Sequence, residues 1–83
     1  MYDIFVLPQA QKDLDKLEPS AFKRIVKKMR LLSENPRPPG SLKITAEEGH
    51  RIRVGDHRVL YRVDDDSRRI YIYRIKHRKD AYR

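Results

Sequence analysis

Arg51-Ile52-Arg53-Val54-Gly55-Asp56-His57-Arg58-Val59-Leu60-Tyr61 is the stretch on which the fold turns. Apolar and charged residues alternate on both sides of Gly55-Asp56, and a Gly-Asp pair is the chemistry of a tight hairpin turn. A two-residue loop there sets Val54 opposite His57, Arg53 opposite Arg58, Ile52 opposite Val59 and Arg51 opposite Leu60. Opposed residues share a face of a sheet, and neighbours along a strand alternate faces. Ile52, Val54, Val59, Tyr61 and Val63 therefore lie on one side. Arg51, Arg53, Arg58 and Arg62 lie on the other.

Downstream, His57–Asp64 and Arg68–Lys76 form a second pair across Asp65-Asp66-Ser67, again turn residues. Closing it sets Val63 opposite Arg68, Tyr61 opposite Ile70 and Arg58 opposite Tyr73. Ile70 and Ile72 then join the apolar side, and Tyr71 and Tyr73 the arginine side. Upstream the period changes from 2 to 3.6. Ala10, Leu14 and Leu17 share one face of a helix over Gln9–Glu18, with Asp13, Asp15 and Lys16 turned to water. Phe22, Ile25, Val26, Met29 and Leu32 stripe a second helix over Ser20–Glu34. Pro19 suits a first helical turn, and Asn35-Pro36 ends the helix, because a residue before proline avoids the α region. Tyr2–Leu7 reads as a strand closed by Pro8. Residues 35–40 form a stiff Pro-rich crossover loop, and Ser41–Thr45 is a short strand or an irregular loop. The expected architecture is α+β: an N-terminal strand, then an antiparallel helical hairpin packed on one face of an antiparallel sheet. The 83 residues make one domain, 1–83.

Composition narrows the partners. Lys+Arg number 20 against 12 Asp+Glu, a net charge of +8, with 39% hydrophobic and 39% charged residues. Residues 1–50 carry a net +2 and residues 51–83 a net +6, and nine of the twelve arginines fall in the second part. The arginine fork grips phosphate at two points, so the bias points to RNA, DNA or another polyanion. The absence of cysteine excludes disulfides and thiolate chemistry. No apolar run approaches a membrane span, no signal peptide is apparent, and the cytoplasm is the expected compartment. His50, His57 and His77 fall in no metal-ligand spacing, and the carboxylate runs read as turns, so neither metal nor other cofactor is expected.

Four arginines interleaved with tyrosines on one sheet face suit a phosphodiester: guanidinium groups stabilise phosphorane charge, and aromatic rings stack on unpaired bases. Arg53 directly opposite Arg58 is destabilising unless an anion answers the pair. The tail His77-Arg78-Lys79-Asp80-Ala81-Tyr82 follows the last strand. If it packs back, it carries Arg78 and Tyr82 to that face, where adjacent arginines would favour the tyrosine phenolate and make it a usable base. A histidine could serve as acid or base instead, and a one-residue slip in register would scatter the set.

These residues resemble the RelE/ParE superfamily of toxins from toxin–antitoxin pairs. The likeness rests on the helical hairpin of 9–34, Asn35-Pro36, Leu42-Lys43, the Arg51–Tyr61 block and the His-Arg-x-x-x-Tyr ending. It covers nearly the whole chain. The resemblance implies a microbial-RNase-like fold and, in the RelE branch, metal-independent cleavage of messenger RNA in the ribosomal A site. In that reaction the 2′-hydroxyl attacks the adjacent phosphate and leaves a 2′,3′-cyclic phosphate. It implies that Arg51 and Arg53 stabilise the base and the transition state and that Arg58 holds the phosphate. Arg78 would steady developing charge or assist the leaving group, and Tyr82 would orient or deprotonate the 2′-hydroxyl. Lys43, Arg62, Tyr73 and His77 would contact RNA. Familiar members carry lysines where Arg51 and Arg53 stand, which weakens any proton-transfer role there, because arginine does not give up its proton. The expected partners are a small acidic antitoxin and messenger RNA on the ribosome. The alternatives are a ParE-like gyrase inhibitor, a branch that generally lacks this full Arg/Tyr set, and a non-enzymatic RNA-binding module.

Overall fold

The computed structural model describes residues 1–79. In chain order it contains β1 (Asp3–Val6), α1 (Pro8–Asp15), α2 (Pro19–Glu34), β2 (Leu42–Thr45), β3 (Gly49–Val54), β4 (His57–Asp64) and β5 (Arg69–His77). Each helix opens on its proline, where the missing N–H is no loss. Asn35 takes an extended φ of −142° ahead of Pro36 and stops α2. Residues 42–45, open between strand and loop in the sequence, are a strand paired to β3.

The five strands form one sheet in the order β1-β5-β4-β3-β2. The expectation of an all-antiparallel sheet needs correction: β1 runs parallel to β5, with Ile4 beside Ile70 and Val6 beside Ile72. The meander from β2 to β5 leaves the outer edge of β5 unpaired. The N-terminal strand takes that edge, and the helices with three strands supply the long connection a parallel pair requires.

The core is Ala10 and Leu14 of α1, Ile25, Met29 and Leu32 of α2, and Ile52, Val59, Tyr61, Ile70, Ile72 and Ile75 of the sheet. The helical stripes point inward as their spacing requires, except that Phe22 is 39% exposed. Tyr61 is fully buried, and its hydroxyl donates to the Pro36 carbonyl at 2.7 Å, which ties the Pro-rich connector to the sheet. Arg37 of the connector pairs with Asp65 at 2.7 Å, and the Tyr2 hydroxyl donates to the same carboxylate.

The β3–β4 register is the one its two-residue turn dictates, Arg53 facing Arg58 and Ile52 facing Val59. The β4–β5 register differs from expectation. Asp64 pairs with Arg69 across a four-residue turn, Tyr61 pairs with Ile72, and an irregularity between Leu60 and Tyr61 shifts the ladder. Beyond it Val59 faces Ile75 and Arg58 faces Lys76, not Tyr73. An extra residue in one strand exchanges the faces that follow. Here it brings Ile75 into the core.

The shift also changes the role of Asp13, expected at the water face of α1. β1 ends at Val6, so the outer edge of β5 past Ile72, away from β4, has no strand beside it. Asp13 takes that place: its Oδ2 accepts from the Ile75 N–H at 2.8 Å and from Arg74 Nε at 3.0 Å. Burial pushes its carboxyl up, but the bonds from Ile75, Arg74 and Gln9 outweigh it, and the net result lies below the ordinary carboxylate range. Asp13→Ala leaves a buried N–H and a guanidinium without this acceptor and is expected to cost about 1–3 kcal/mol. Thermal unfolding checks this, at roughly 4–8 °C per kcal/mol for a domain of this size.

Candidate phosphate site on the outer sheet face

Two consecutive pairings build the site. Arg53 faces Arg58 across β3 and β4, and Arg58 faces Lys76 across β4 and β5. Three cations thus form one cross-strand row, with Arg51 one alternation away, opposite Leu60. Three hollows around this row share lining residues, Arg58 being common to all of them. One of about 190 Å³ is lined by Arg53, Arg58 and Arg78 with the 55–57 turn. One of about 360 Å³ is lined by Lys43, Arg51, Arg58 and Lys76 with Leu42, Ile44 and Leu60. A third joins Arg51, Arg53 and Arg58 to Gly40 and Leu42. Among the described residues, the side-chain ion pairs are Arg37–Asp65 and Arg74–Asp13, so no carboxylate there neutralises the row. Like charges directly opposed cost stability, and an anion seated between them would repay it.

The sequence-derived residues fall into separate groups. Arg51, Arg53, Arg58 and Arg78 converge, with Lys43 at the β2 edge. Arg78 is held by its backbone, whose N–H donates to the Asp56 carbonyl at 2.6 Å, one step past the His57–His77 pair. β5 thus reaches His77, one residue beyond its expected end, and the tail leaves the sheet beside the Arg53–Arg58 pair. Tyr82 lies outside the described residues.

Arg62 and Tyr73 sit apart. The Arg62 guanidinium lies 4.3 Å from the Tyr73 ring centroid and donates to the Glu47 carbonyl, and the Tyr73 hydroxyl donates to the Glu48 carbonyl. Both brace the β2–β3 turn. Phe5 and Tyr71 stack at 5.6 Å further along the same face. His77 meets His57 edge-on at 4.9 Å and lines a separate cavity with Arg24, Lys16 and Val54 on the helix side. Lys76 was not among the residues singled out from sequence. The signal for it is the spacing of the β5 isoleucines: 70 and 72 are two apart, 72 and 75 are three apart, and that break marks the shift that sets Lys76 against Arg58.

Two histidines titrate low. Burial, then the charges of Arg37 and Lys43, press His50 below its ordinary 6.5; its Nδ1 is buried without a partner. Burial, then His77, does the same to His57. A histidine whose pKa is lower folded than unfolded binds fewer protons in the native state, so stability falls as pH drops below about 6.5 toward the folded values. The melting temperature is expected to fall between pH 7.5 and 5.5. His50→Gln and His57→Gln should each flatten that slope, read by thermal denaturation across the pH series.

Comparison with known proteins places this geometry. The family model for the ParE toxin of the type II toxin–antitoxin system parDE matches residues 4–82. This chain is a toxin of the RelE/ParE superfamily. RelE/ParE relatives cover it almost end to end. Putative toxin RelE1 of Methanocaldococcus jannaschii is 33% identical over 86 residues, 99% of this chain and 96% of its own. Toxin RelG of Mycobacterium tuberculosis is 33% identical over 84 residues, 99% and 97%. Among solved structures, the toxin–antitoxin complex RelBE2 of Mycobacterium tuberculosis matches at a TM-score of 0.81 and 30% identity, over 93% of this chain and 98% of that one. The archaeal RelE–RelB complex of Pyrococcus horikoshii matches at 0.80 and 28%, over 93% and 94%. The RelE/ParE fold is therefore the one described above, two helices on a five-stranded mixed sheet. No helix among the described residues is long and apolar enough to cross a membrane.

Proposed function

We propose that this toxin is an endoribonuclease that cuts messenger RNA in the ribosomal A site, without a metal, by attack of a 2′-hydroxyl on the neighbouring phosphate. The observation that carries the reading is the convergence of Arg51, Arg53, Arg58 and Arg78 on adjoining hollows of the outer sheet face that share Arg53 and Arg58. Their fixed charge supplies the stabilisation a phosphorane needs. In this reading Arg58 holds the scissile phosphate, and Arg51 and Arg53 steady the base and the transition state. Arg78 meets charge at the leaving side, and Tyr82 orients or deprotonates the nucleophile. Lys43 touches the RNA, and His77 borders its exit toward the helices. Arg62 and Tyr73 contribute by shaping the β2–β3 rim. The two matched structures named above are complexes of a toxin with its RelB antitoxin, and by that analogy a small acidic antitoxin would cover the basic face.

Primer extension on messenger RNA from cells making this protein tests the reading. Discrete cuts within codons of translated frames are expected, and uncut messages would overturn it. The ParE description of the matching family model favours a second reading, inhibition of DNA gyrase. That alternative predicts DNA damage and filamentation with intact messages.

A further inference from the structure

We propose that Lys76 is the general acid of this site, the group that protonates the departing 5′-oxygen; the inference rests on the endoribonuclease reading. Cleavage by 2′-hydroxyl attack needs two proton movements. The 2′-hydroxyl proton passes to the base, for which that reading nominates Tyr82, as the 2′-O–P bond forms. The P–O5′ bond breaks, its electron pair goes to O5′, and O5′ needs a proton to leave as a hydroxyl. The arginines around the phosphate hold charge but do not yield protons. His57 lines the neighbouring hollow of Arg53, Arg58 and Arg78, but its ring packs edge-on against His77 beside the helix-side cavity, and neither histidine lines the hollow that Arg51, Arg58 and Lys76 share.

Lys76 is the one lysine of β3, β4 and β5. It stands directly opposite Arg58, and its side chain lines the hollow that Arg51 and Arg58 also line. Opposed residues carry their Cβ atoms about 4.5–5.5 Å apart, so a phosphate held by the Arg58 fork lies within reach of a four-carbon ammonium stem. The strand shift at Leu60–Tyr61 puts it there: with an unbroken ladder, position 76 would not face Arg58. Lys43 lines the same hollow from the edge strand, but its Cα partner is His50, whose ring stacks on buried Tyr61. Lys76 starts on the phosphate side. Having given its proton to O5′, the neutral amine regains one from water. The products are a 2′,3′-cyclic phosphate and a 5′-hydroxyl.

The test uses programmed ribosomes and two messages, one ordinary and one with sulfur replacing the 5′-bridging oxygen at the cleavage site. A thiolate leaves without protonation. Lys76→Arg keeps the charge and removes the proton donor, and Lys76→Gln removes both. Both should lose about 100-fold or more on the ordinary message, the usual scale of acid catalysis, and cut the sulfur-bridged message within a few-fold of wild type. Wild-type rates for both variants on the ordinary message would overturn the assignment. So would equal losses on both messages, which mark an electrostatic or structural role, and so would sulfur rescue of Lys43→Gln in place of the Lys76 variants. Melting temperature controls for folding, and Lys76→Arg is the variant least disturbing to a half-exposed strand position. Failure of the wild-type protein to cut either message overturns the endoribonuclease reading itself, an outcome distinct from all of these.

Discussion

Arg58→Ala is expected to lower messenger RNA cleavage by about 100- to 1000-fold while leaving the protein folded and, if anything, more stable. Arg58 is the middle of the row Arg53–Arg58–Lys76, the one position with a cation opposite it on both neighbouring strands. It also lines all three outer-face hollows, which neither Arg51 nor Arg53 does. A phosphate seated on this face therefore meets Arg58 wherever along the row it lies. In the free protein the same centrality is a cost, because two like charges oppose it and no carboxylate among the described residues answers them. Activity and stability should thus move in opposite directions, as expected where a fold carries strain for function. Arg58→Lys keeps the charge but loses the bidentate fork and should fall between wild type and Arg58→Ala. Cleavage on programmed ribosomes and thermal unfolding read the two effects separately. Undiminished cleavage by Arg58→Ala would remove the phosphate-holding role. A sharp fall in melting temperature would show that the arginine is structural.

How much of this site was legible in the sequence follows from the physics of the two turns. Gly55-Asp56 leaves a hairpin one short way to close, so Arg53 opposite Arg58 is legible in the sequence alone. The run Asp64-Asp65-Asp66-Ser67-Arg68 admits several closures. The one adopted places Arg68 at a φ of +56°, unfavourable for a side chain with a Cβ and hard to foresee. The irregularity in β4–β5 pairing then exchanges faces, which hid Lys76 and buried Ile75. The role of Asp13 is hidden for the same reason, since its partner, the Ile75 N–H, is available only because β1 stops short beside the shifted strand. The parallel placement of β1 has no local signature: it depends on which sheet edge is left open once the other four strands are paired. The helices were the easy part, because their stripes and bracketing prolines depend on nothing distant. Alternation pairs Tyr73 with Arg58, whereas its ring lies against Arg62, and the engagement of both with the Glu47 and Glu48 carbonyls depends on the path of a loop that alternation does not describe.

That loop sets the second large effect. Gly49→Ala is expected to destabilise the protein by about 3 kcal/mol or more, a large share of the roughly 5–15 kcal/mol that holds a domain together. Gly49 opens β3 at a φ of +83°, pairs with Thr45 at the irregular end of the β2–β3 ladder, and has no room for a Cβ. An added methyl would run into the Tyr61 carbonyl oxygen and crowd the Arg62 backbone at 3.2 Å. Left-handed backbone alone costs an L-residue about 1–2 kcal/mol. The clash adds to this, because backbone of the central strand β4 cannot yield without disturbing its pairings on both sides. Gly40 separates the two contributions. Its φ is +92°, but nothing lies within 4 Å of a Cβ built there, so Gly40→Ala should show only the backbone cost. Thermal unfolding should place Gly49→Ala 10 °C or more below wild type, with Gly40→Ala between them. The larger loss should reach the site, because the 47–48 carbonyls that receive Arg62 and Tyr73 hang on the turn that Gly49 closes. Equal melting temperatures for the two variants would mean that β3 can move away from β4 at this point, and the packed contact between them would no longer explain why position 49 is glycine.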